Sequence, residues 1–291
     1  MQLRADSPEK ADMRGLTRTK VKHRNVLALA LAAVSAAVLL GGCGMQTDNA
    51  AEAEDDRSVL VVGCDNYAPF SYADVDGNMT GIDVDLAQEA FTRMGYRVEF
   101  RVINWEEKKE LLHKGEIDCV WSSFTMDGRE NDYNWAGPYM ESHQVVAVLP
   151  DSKITKLSDL EDKVIAVQST TKPEDIIRSH DGTLPPLRKV LSVQKRELIF
   201  VLLSKGYADA IAGHDTTIKE FMAETGLEFR ILDEPLQTVG LGVAFDKDDD
   251  RGIAAQLNDT LKEMREDGTV RETIGKYLPD AERFVGGSDE K

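Results

Sequence analysis

Cysteine is scarce in this chain: three of its 291 residues are cysteine, Cys43, Cys64 and Cys119. So few cysteines exclude a scaffold held by several disulfides, and their spacing is not that of a zinc site. We expect no metal site, and no other cofactor is expected either. Cys64 and Cys119 both lie in apolar, strand-like runs. The sequence leaves open whether these two residues form a disulfide or are two buried thiols.

Basic residues are also few, 35 against 52 acidic ones, which gives a formal net charge of −17. Residues 1–42 hold 7 basic and 3 acidic residues, so the rest of the chain holds 28 and 49, a formal charge of −21. This balance argues against binding to nucleic acid and against electrostatic attachment to anionic lipid. We interpret the acidic surface as one that keeps the protein soluble.

Long apolar runs are absent after the N-terminus, and the apolar run Val26–Leu40 is shorter than the about 20 residues that span a bilayer. It follows a basic stretch, Arg14 to Arg24, and ends in small residues. This order of segments is typical of an export signal. Either Met1 or Met13 could start such a signal.

The segment Leu40-Gly41-Gly42-Cys43 resembles a bacterial lipobox. The resemblance implies cleavage before Cys43 and lipidation of Cys43, with palmitate among the acyl chains. An ordinary secretory signal with a chance cysteine and an uncleaved anchor are the alternatives. We predict a lipoprotein signal peptide at residues 1–42 and, because the following segment is acidic and poor in apolar residues, a flexible tether at 43–57.

From residue 58 onward, strand-like and helix-like patterns alternate. Val59–Gly63 is a continuous apolar run of the kind buried on both faces of a sheet, and Ile82–Met94 has the apolar spacing of an amphipathic helix. Such alternation predicts an α/β fold with mostly parallel sheets. Further strands are predicted at Val98–Ile103, Ile117–Trp121, Val164–Val167, Ala208–Ala212 and Val239–Phe245, and further helices at Glu106–His113, Glu174–Ser179, Glu197–Leu203, Thr216–Glu224, Ile253–Arg265 and Val270–Tyr277.

Polar residues follow the carboxyl ends of several predicted strands. In α/β sheets, ligands bind just beyond those ends. The rule selects candidate site residues without reference to any family: Asp65, Tyr67, Ser122, Ser123, Thr125, Gln168, Thr170, Thr171, His214 and Asp215.

Several motifs follow one another along the chain: Gly63–Phe70 (GCDNYAPF), Gly81–Leu86 (GIDVDL), Gly115–Asp118 leading to Ser122–Thr125 and Arg129, Trp135–Tyr139 (WAGPY) and Leu157–Val164 (LSDLEDKV). In this order and spacing they resemble the motifs of the extracellular solute-binding proteins of family 3, the polar amino-acid-binding lipoproteins of ABC importers. The resemblance covers nearly all of residues 58–279, and the order and spacing of the motifs make it specific.

This resemblance implies a periplasmic binding protein fold of type II, a Venus-flytrap of two lobes joined by two hinge strands. We expect lobe 1 at residues 58–141 and lobe 2 at 142–236. Residues 237–285 are expected to return to lobe 1 with C-terminal helices. The two hinge crossings are expected near Tyr139–His143 and Gln237–Leu241.

The resemblance also implies roles for the candidate residues in binding an α-amino acid. Arg129 matches the family residue that binds the carboxylate, helped by Thr125 and the loop with Gln168, Thr170 and Thr171. Asp215 matches the acidic residue that binds the ammonium group, helped by Ser122 or Ser123, and Tyr67 and Trp105 match the aromatic residues around the side chain. Asp65 in the pocket would favour a ligand with a polar or basic side chain. Each residue also has a purely structural alternative, such as a helix cap for Asp215 or a surface ion pair for Arg129.

The predicted function is high-affinity binding of an amino acid and its delivery to the permease subunits of an ABC-type importer. The protein is expected to be a monomer outside the cytoplasm, attached by its lipid to the outer face of the cell membrane. We find no Ser-His-Asp constellation and expect no catalytic residues. Two alternatives remain: a sensing module for a separate signalling partner, and a dehydratase-like enzyme on the same fold.

Overall fold

A computed structural model describes residues 58–285 of the chain. The predicted signal peptide, the predicted lipidation site Cys43 and the predicted tether lie outside these residues. The strands are β1 Val59–Cys64, β2 Tyr72–Ala73, β3 Met79–Thr80, β4 Arg97–Val102, β5 Cys119–Thr125, β6 Asn134–Val148, β7 Val164–Gln168, β8 Lys189–Val193, β9 Ala210–His214, β10 Arg230–Ile231 and β11 Gln237–Phe245. The helices are α1 Ile82–Arg93, α2 Lys108–His113, α3 Lys172–Ser179, α4 Glu197–Ser204, α5 Asp215–Thr225, α6 Ile253–Glu266, α7 Thr269–Tyr277 and α8 Glu282–Val285.

The main sheet of the described residues has the strand order β4-β1-β5-β11-β6-β9-β7-β8, with β10 paired to β6. At one end β1 runs parallel to β4 and β5, and at the other β7 runs parallel to β8 and β9. The pairs β5–β11, β11–β6 and β6–β9 in the middle are antiparallel. This is the predicted α/β fold of a type II binding protein: two parallel regions joined by two long strands, β6 and β11, that cross between them.

Hydrophobic side chains form separate clusters at the two ends of the sheet. One cluster joins Leu60, Phe91 and Trp121 to residues of α6 and α7, among them Leu257 and Ile274. Two other clusters surround β7 and β9. One includes Ile165, Val167 and Ile177. The other includes Ala166, Phe200 and Ile211. The chain after β11 therefore packs its helices on the region that contains β1. We call the parts around β1 and around β7 lobe 1 and lobe 2, and their contacts hold them in one compact unit.

Two strands extend further than the sequence pattern predicts. β5 continues past Trp121 to Thr125, because Phe124 and Thr125 pair with Gly242 and Leu241 of β11. β9 continues past Ala212 to His214, which pairs with Gln144 of β6. The polar residues expected in loops after these strands are thus the last residues of the strands themselves.

Cys64 and Cys119 are both buried free thiols, which settles the alternative left open by the sequence. Burial raises the pKa of Cys64 to about 12, so this thiol stays protonated and unreactive. Within residues 58–285, no helix combines the length and the apolar character needed to cross a bilayer.

Candidate functional site

A cavity of about 590 Å³, part of it open to solvent, lies where both lobes meet the crossing strands. Its size is within the roughly 300–1,000 Å³ typical of small-molecule sites. Nine of the predicted site residues line it: Asp65, Tyr67, Trp105, Ser122, Ser123, Thr125, Arg129, Gln168 and Thr171. These residues come from both lobes, so a bound molecule would contact lobe 1 and lobe 2 at once.

Buried Asp83 fixes the backbone at the serine pair of β5. Its Oδ2 accepts a hydrogen bond of 2.6 Å from the backbone N–H of Ser123, and its Oδ1 accepts one of 2.7 Å from the hydroxyl of Tyr139. Ser123 has a φ of 45°, a left-handed conformation that is unusual for a residue other than glycine. Burial raises the pKa of the Asp83 carboxyl to about 7, although both hydrogen bonds act in the opposite direction. The serine side chains therefore have a preformed position beside the cavity.

Arg129 lies after β5 with 11% of its side chain exposed. Its Nη2 is 2.5 Å from Oδ2 of Asp175, its Nη1 is 3.3 Å from the Thr125 carbonyl oxygen, and its guanidinium packs 5.1 Å from the Phe124 ring centre. Asp175 belongs to α3 of lobe 2, so this ion pair crosses the cleft. The guanidinium is thereby positioned at the wall of the cavity, where it can bind a carboxylate.

Asp65 faces the cavity from lobe 1, with both carboxylate oxygens engaged. Its Oδ2 accepts a 2.9 Å hydrogen bond from Nε2 of Gln168 in lobe 2, and its Oδ1 accepts one of 2.9 Å from the backbone N–H of Asn66. Burial raises the pKa of the Asp65 carboxyl above its usual value, and the bond from Gln168 and the charge of Arg196 partly offset that rise.

Two of the predicted aromatic residues, Tyr67 and Trp105, contribute to the lining. Tyr67 stacks on Phe70, with ring centres 5.8 Å apart, and carries the guanidinium of Arg196 3.9 Å above its ring. Trp105 contacts Phe124 edge to face at 5.2 Å. The indole Nε1 of Trp105 is buried and has no hydrogen-bond partner among the described residues. A ligand acceptor would remove the cost of that unpaired donor.

Thr170 does not line the cavity. Its hydroxyl accepts a 2.9 Å hydrogen bond from Nζ of Lys108, a buried lysine of lobe 1 that the sequence analysis did not select. The ammonium of Lys108 also lies 4.7 Å from the Trp105 ring centre. Burial lowers the pKa of Lys108 to about 7. Thr170 thus contributes to the contact between the lobes that closes the cavity.

Asp215 does not line the cavity either, whereas His214 does. Because β9 continues through His214, it is the His214 side chain that faces the cavity, and Asp215 becomes the first residue of α5, with its Oδ2 2.6 Å from Nζ of Lys219. The imidazole of His214 lies 2.8 Å from Oγ of Ser142 and 3.0 Å from Nε2 of Gln144. Burial lowers the pKa of His214 to about 4, so the ring is neutral at pH 7.

The sequence analysis missed several lining residues. Three of them, Arg196, Gln144 and Lys172, have charged or amide side chains. Arg196 follows β8, a strand that the hydrophobic pattern did not predict. Had that strand been assigned, the rule that selects residues beyond strand ends would have selected Arg196 as well. Gln144 lies within a crossing strand, where that rule does not apply.

The two lobes, the crossing strands and the cavity between them define a periplasmic binding protein of type II. The family of bacterial extracellular solute-binding proteins, family 3, matches residues 59–280, and the chain belongs to that family.

Known proteins similar to this chain are amino-acid-binding proteins. The chain is 29% identical over 258 residues to the "Probable histidine-binding protein" of Neisseria gonorrhoeae, covering 86% of this chain and 94% of that protein. The crystal structure of the substrate-binding protein of an amino acid ABC transporter matches with a TM-score of 0.69 and 27% identity, covering 76% of this chain and 99% of that one. The ancestral amino-acid-binding protein AncCDT-1, a precursor of cyclohexadienyl dehydratase, matches with a TM-score of 0.67 and 29% identity, covering 76% and 96%. Amino-acid binding is the activity that these relatives share.

Proposed function

We propose that this protein captures an α-amino acid with high affinity outside the cytoplasm and delivers it to an ABC-type importer. The observation that carries the proposal is Arg129, a nearly buried guanidinium at the wall of a cavity formed by both lobes. A guanidinium binds a carboxylate through two parallel hydrogen bonds, which no other side chain can do. The amino-acid-binding relatives support the same class of ligand.

The cavity has suitable groups for the rest of an α-amino acid. Thr125 offers a hydroxyl donor for the carboxylate, whereas the Thr171 hydroxyl lines the cavity but already donates a 2.6 Å hydrogen bond to the Gln168 carbonyl oxygen. The hydroxyl oxygens of Ser122 and Ser123 are acceptors for the ammonium group. Tyr67 and Trp105 provide apolar surface for the side chain, whose outer end we expect to be polar. The sequence analysis expects a polar or basic side chain on the basis of Asp65; of these two classes we propose the polar one, because three cationic side chains line the cavity against that one carboxylate.

Transport explains why the site is divided between two lobes. A ligand that contacts both lobes favours the closed arrangement, and two crossing strands such as β6 and β11 are suitable hinges. A permease that recognises the closed arrangement would then accept loaded protein in preference to empty protein. We assign no catalytic residue. We propose that the protein is a monomer and that a lipid on Cys43 keeps it near its importer.

The substitution Arg129→Met tests the carboxylate site. We expect the dissociation constant for the bound amino acid to rise about 100-fold, because charge-assisted hydrogen bonds are lost while the fold, whose core does not include Arg129, persists. Isothermal titration calorimetry measures the affinity and circular dichroism the fold. Arg188→Met is the matched control, since Arg188 is 57% exposed on lobe 2 and does not line the cavity. Normal binding by folded Arg129→Met would contradict the assignment.

A further inference from the structure

The charges that line the cavity are mostly positive. Arg129, Lys172 and Arg196 are the cationic side chains of the lining, and Asp65 is its one carboxylate among the described residues. Both oxygens of Asp65 already accept hydrogen bonds, from Gln168 and from the backbone of Asn66. A cationic side chain on the ligand would therefore meet three positive charges against one carboxylate.

The three cations differ in how far their donors are satisfied. Arg129 pairs with Asp175, and Nζ of Lys172 donates a 3.1 Å hydrogen bond to the carbonyl oxygen of Asp127. The Arg196 side chain is 10% exposed, and only its Nη2 has partners, the Asn66 carbonyl oxygen at 2.7 Å and Glu197 at 3.2 Å. Its Nε and Nη1 are buried and unpaired within residues 58–285.

Unpaired nitrogens on a buried guanidinium are costly, because burial removes the water that would otherwise accept their hydrogen bonds. The cost disappears if a ligand brings an acceptor to them. Arg196 packs on Tyr67 whereas Arg129 packs on Phe124, so different aromatic side chains of the lining hold the two guanidinium groups. One can bind the α-carboxylate while the other faces a second part of the ligand.

We propose, building on the amino-acid-binding function above, that Arg196 selects the side chain of the ligand. The preferred amino acid has a side chain that ends in an oxygen acceptor, a carboxylate or a carboxamide. Amino acids with cationic side chains are excluded. The indole Nε1 of Trp105, which also lines the cavity and has no partner among the described residues, adds a further hydrogen-bond donor for such a group.

The experiment compares side chains by isothermal titration calorimetry of the full chain in detergent, after unfolding and refolding to remove carried-over ligand. The probes are L-glutamate, L-glutamine, L-aspartate, L-asparagine, L-arginine, L-lysine, L-histidine and the apolar L-norvaline. We expect an acidic or amide amino acid to bind at least about 10-fold more tightly than L-norvaline, since each hydrogen bond to a charged donor contributes about that factor or more. The basic amino acids should show no measurable heat of binding.

The substitution Arg196→Met tests whether Arg196 selects the side chain of the ligand or only supports the structure. We expect the preference for the acceptor-bearing amino acid over L-norvaline to fall about 10- to 100-fold, with Arg188→Met keeping the wild-type preference. An equal loss of affinity for both probes would show that Arg196 only supports closure, and would overturn the inference. Tighter binding of L-arginine or L-lysine than of L-glutamate or L-glutamine would overturn it too, while leaving amino-acid binding intact. If none of the probes bound, the proposed function itself would be contradicted and this inference with it.

Discussion

Asp83 is an acidic side chain buried at the base of the site, with 1% of the residue exposed. Water cannot reach it, so its charged form depends on hydrogen bonds from Tyr139 and Ser123. Those bonds hold Ser123 in a left-handed conformation beside the cavity. Asp83 does not line the cavity, but it positions Ser123, which does.

The substitution Asp83→Asn makes this contribution measurable through pH. The pKa of Asp83 is raised in the folded protein, from 3.8 to about 7, so the folded state binds the extra proton and stability falls as pH rises through that window. The neutral asparagine lacks this decline. The free energy of unfolding of the variant, relative to wild type, should therefore rise between pH 4 and pH 7, by about 1.4 kcal/mol per unit of pKa shift.

Urea unfolding at several pH values between 4.5 and 7.5 measures the difference. Because His214, whose pKa is lowered, is present in both proteins, its opposite effect cancels in the comparison. Parallel stability profiles for wild type and Asp83→Asn would show that Asp83 titrates as an ordinary carboxyl.

At this scale the sequence predicted most of the cavity lining but missed two features. Nine of eleven predicted residues line the cavity, because the rule about strand ends and the family motifs both place them there. The sequence analysis gave the ligand role to Asp215, but one residue more of β9 reverses which side chain faces the cavity, and His214 lines it instead. Arg196 required knowledge of β8, a half-exposed strand at the edge of the sheet, whose pattern is weak.

Among the elements, the start of α1 shows how closely the backbone is packed in lobe 1. Gly81 precedes the helix with a φ of 123°. A Cβ at this position would lie 2.6 Å from the Phe70 carbonyl carbon and 2.9 Å from the Pro69 carbonyl oxygen. Asp83 and Asp85 in the first turn complement the positive end of the helix dipole. Only glycine allows the chain to enter the helix here.

The substitution Gly81→Ala should therefore destabilise the protein, by a backbone strain of about 1–2 kcal/mol and a steric clash of about 1–3 kcal/mol. Gly77→Ala is a matched control, because Gly77 also has a positive φ, 86°, but nothing lies within 4 Å of a Cβ there. Thermal unfolding followed by circular dichroism should show a clearly lower midpoint for Gly81→Ala than for Gly77→Ala. Equal midpoints would mean that the clash is relieved by small shifts.

Elements with strong periodicity were predicted correctly to within a few residues, as α6 and α7 show. The long strand β6 and the short strands β2, β3, β8 and β10 were not predicted, although the resemblance placed a crossing within β6 at Tyr139–His143. β6 contains Gly137 and Pro138, which interrupt the pattern of a strand, and its pairing with β11 and β9 comes from tertiary structure. Short edge strands have too few residues for their alternation to be recognised.

For the molecule as a whole, direct contacts between the lobes define the closed arrangement. Glu106 of lobe 1 accepts a 2.6 Å hydrogen bond from Oγ of Ser169 and another from Nε2 of Gln194, both in lobe 2. These bonds lower the pKa of the Glu106 carboxyl. With the Arg129–Asp175 and Asp65–Gln168 contacts they favour closure, and closure is what allows a ligand to contact both lobes.

The substitution Glu106→Ala should weaken ligand binding several-fold, because it removes contacts that exist only when the lobes are together. Glu107→Ala is the control, since Glu107 accepts its hydrogen bond from Asn104 within lobe 1. Calorimetric titration with the same amino acid measures both variants, and unchanged thermal midpoints without ligand would show that neither lobe is damaged. Equal ligand affinities for the two variants would show that the Glu106 contacts do not contribute to closure.

The central proposal, capture of an amino acid between the lobes, is tested most directly by a thermal-shift screen. The chain lacking residues 1–43, refolded free of ligand, is heated with each common amino acid and with cystine. A ligand present at about 100 times its dissociation constant adds about 2.7 kcal/mol to the free energy of unfolding. We predict a clear rise in midpoint with one amino acid or a small group of related ones. No rise with any of them, in protein shown by circular dichroism to be folded, would contradict amino-acid capture.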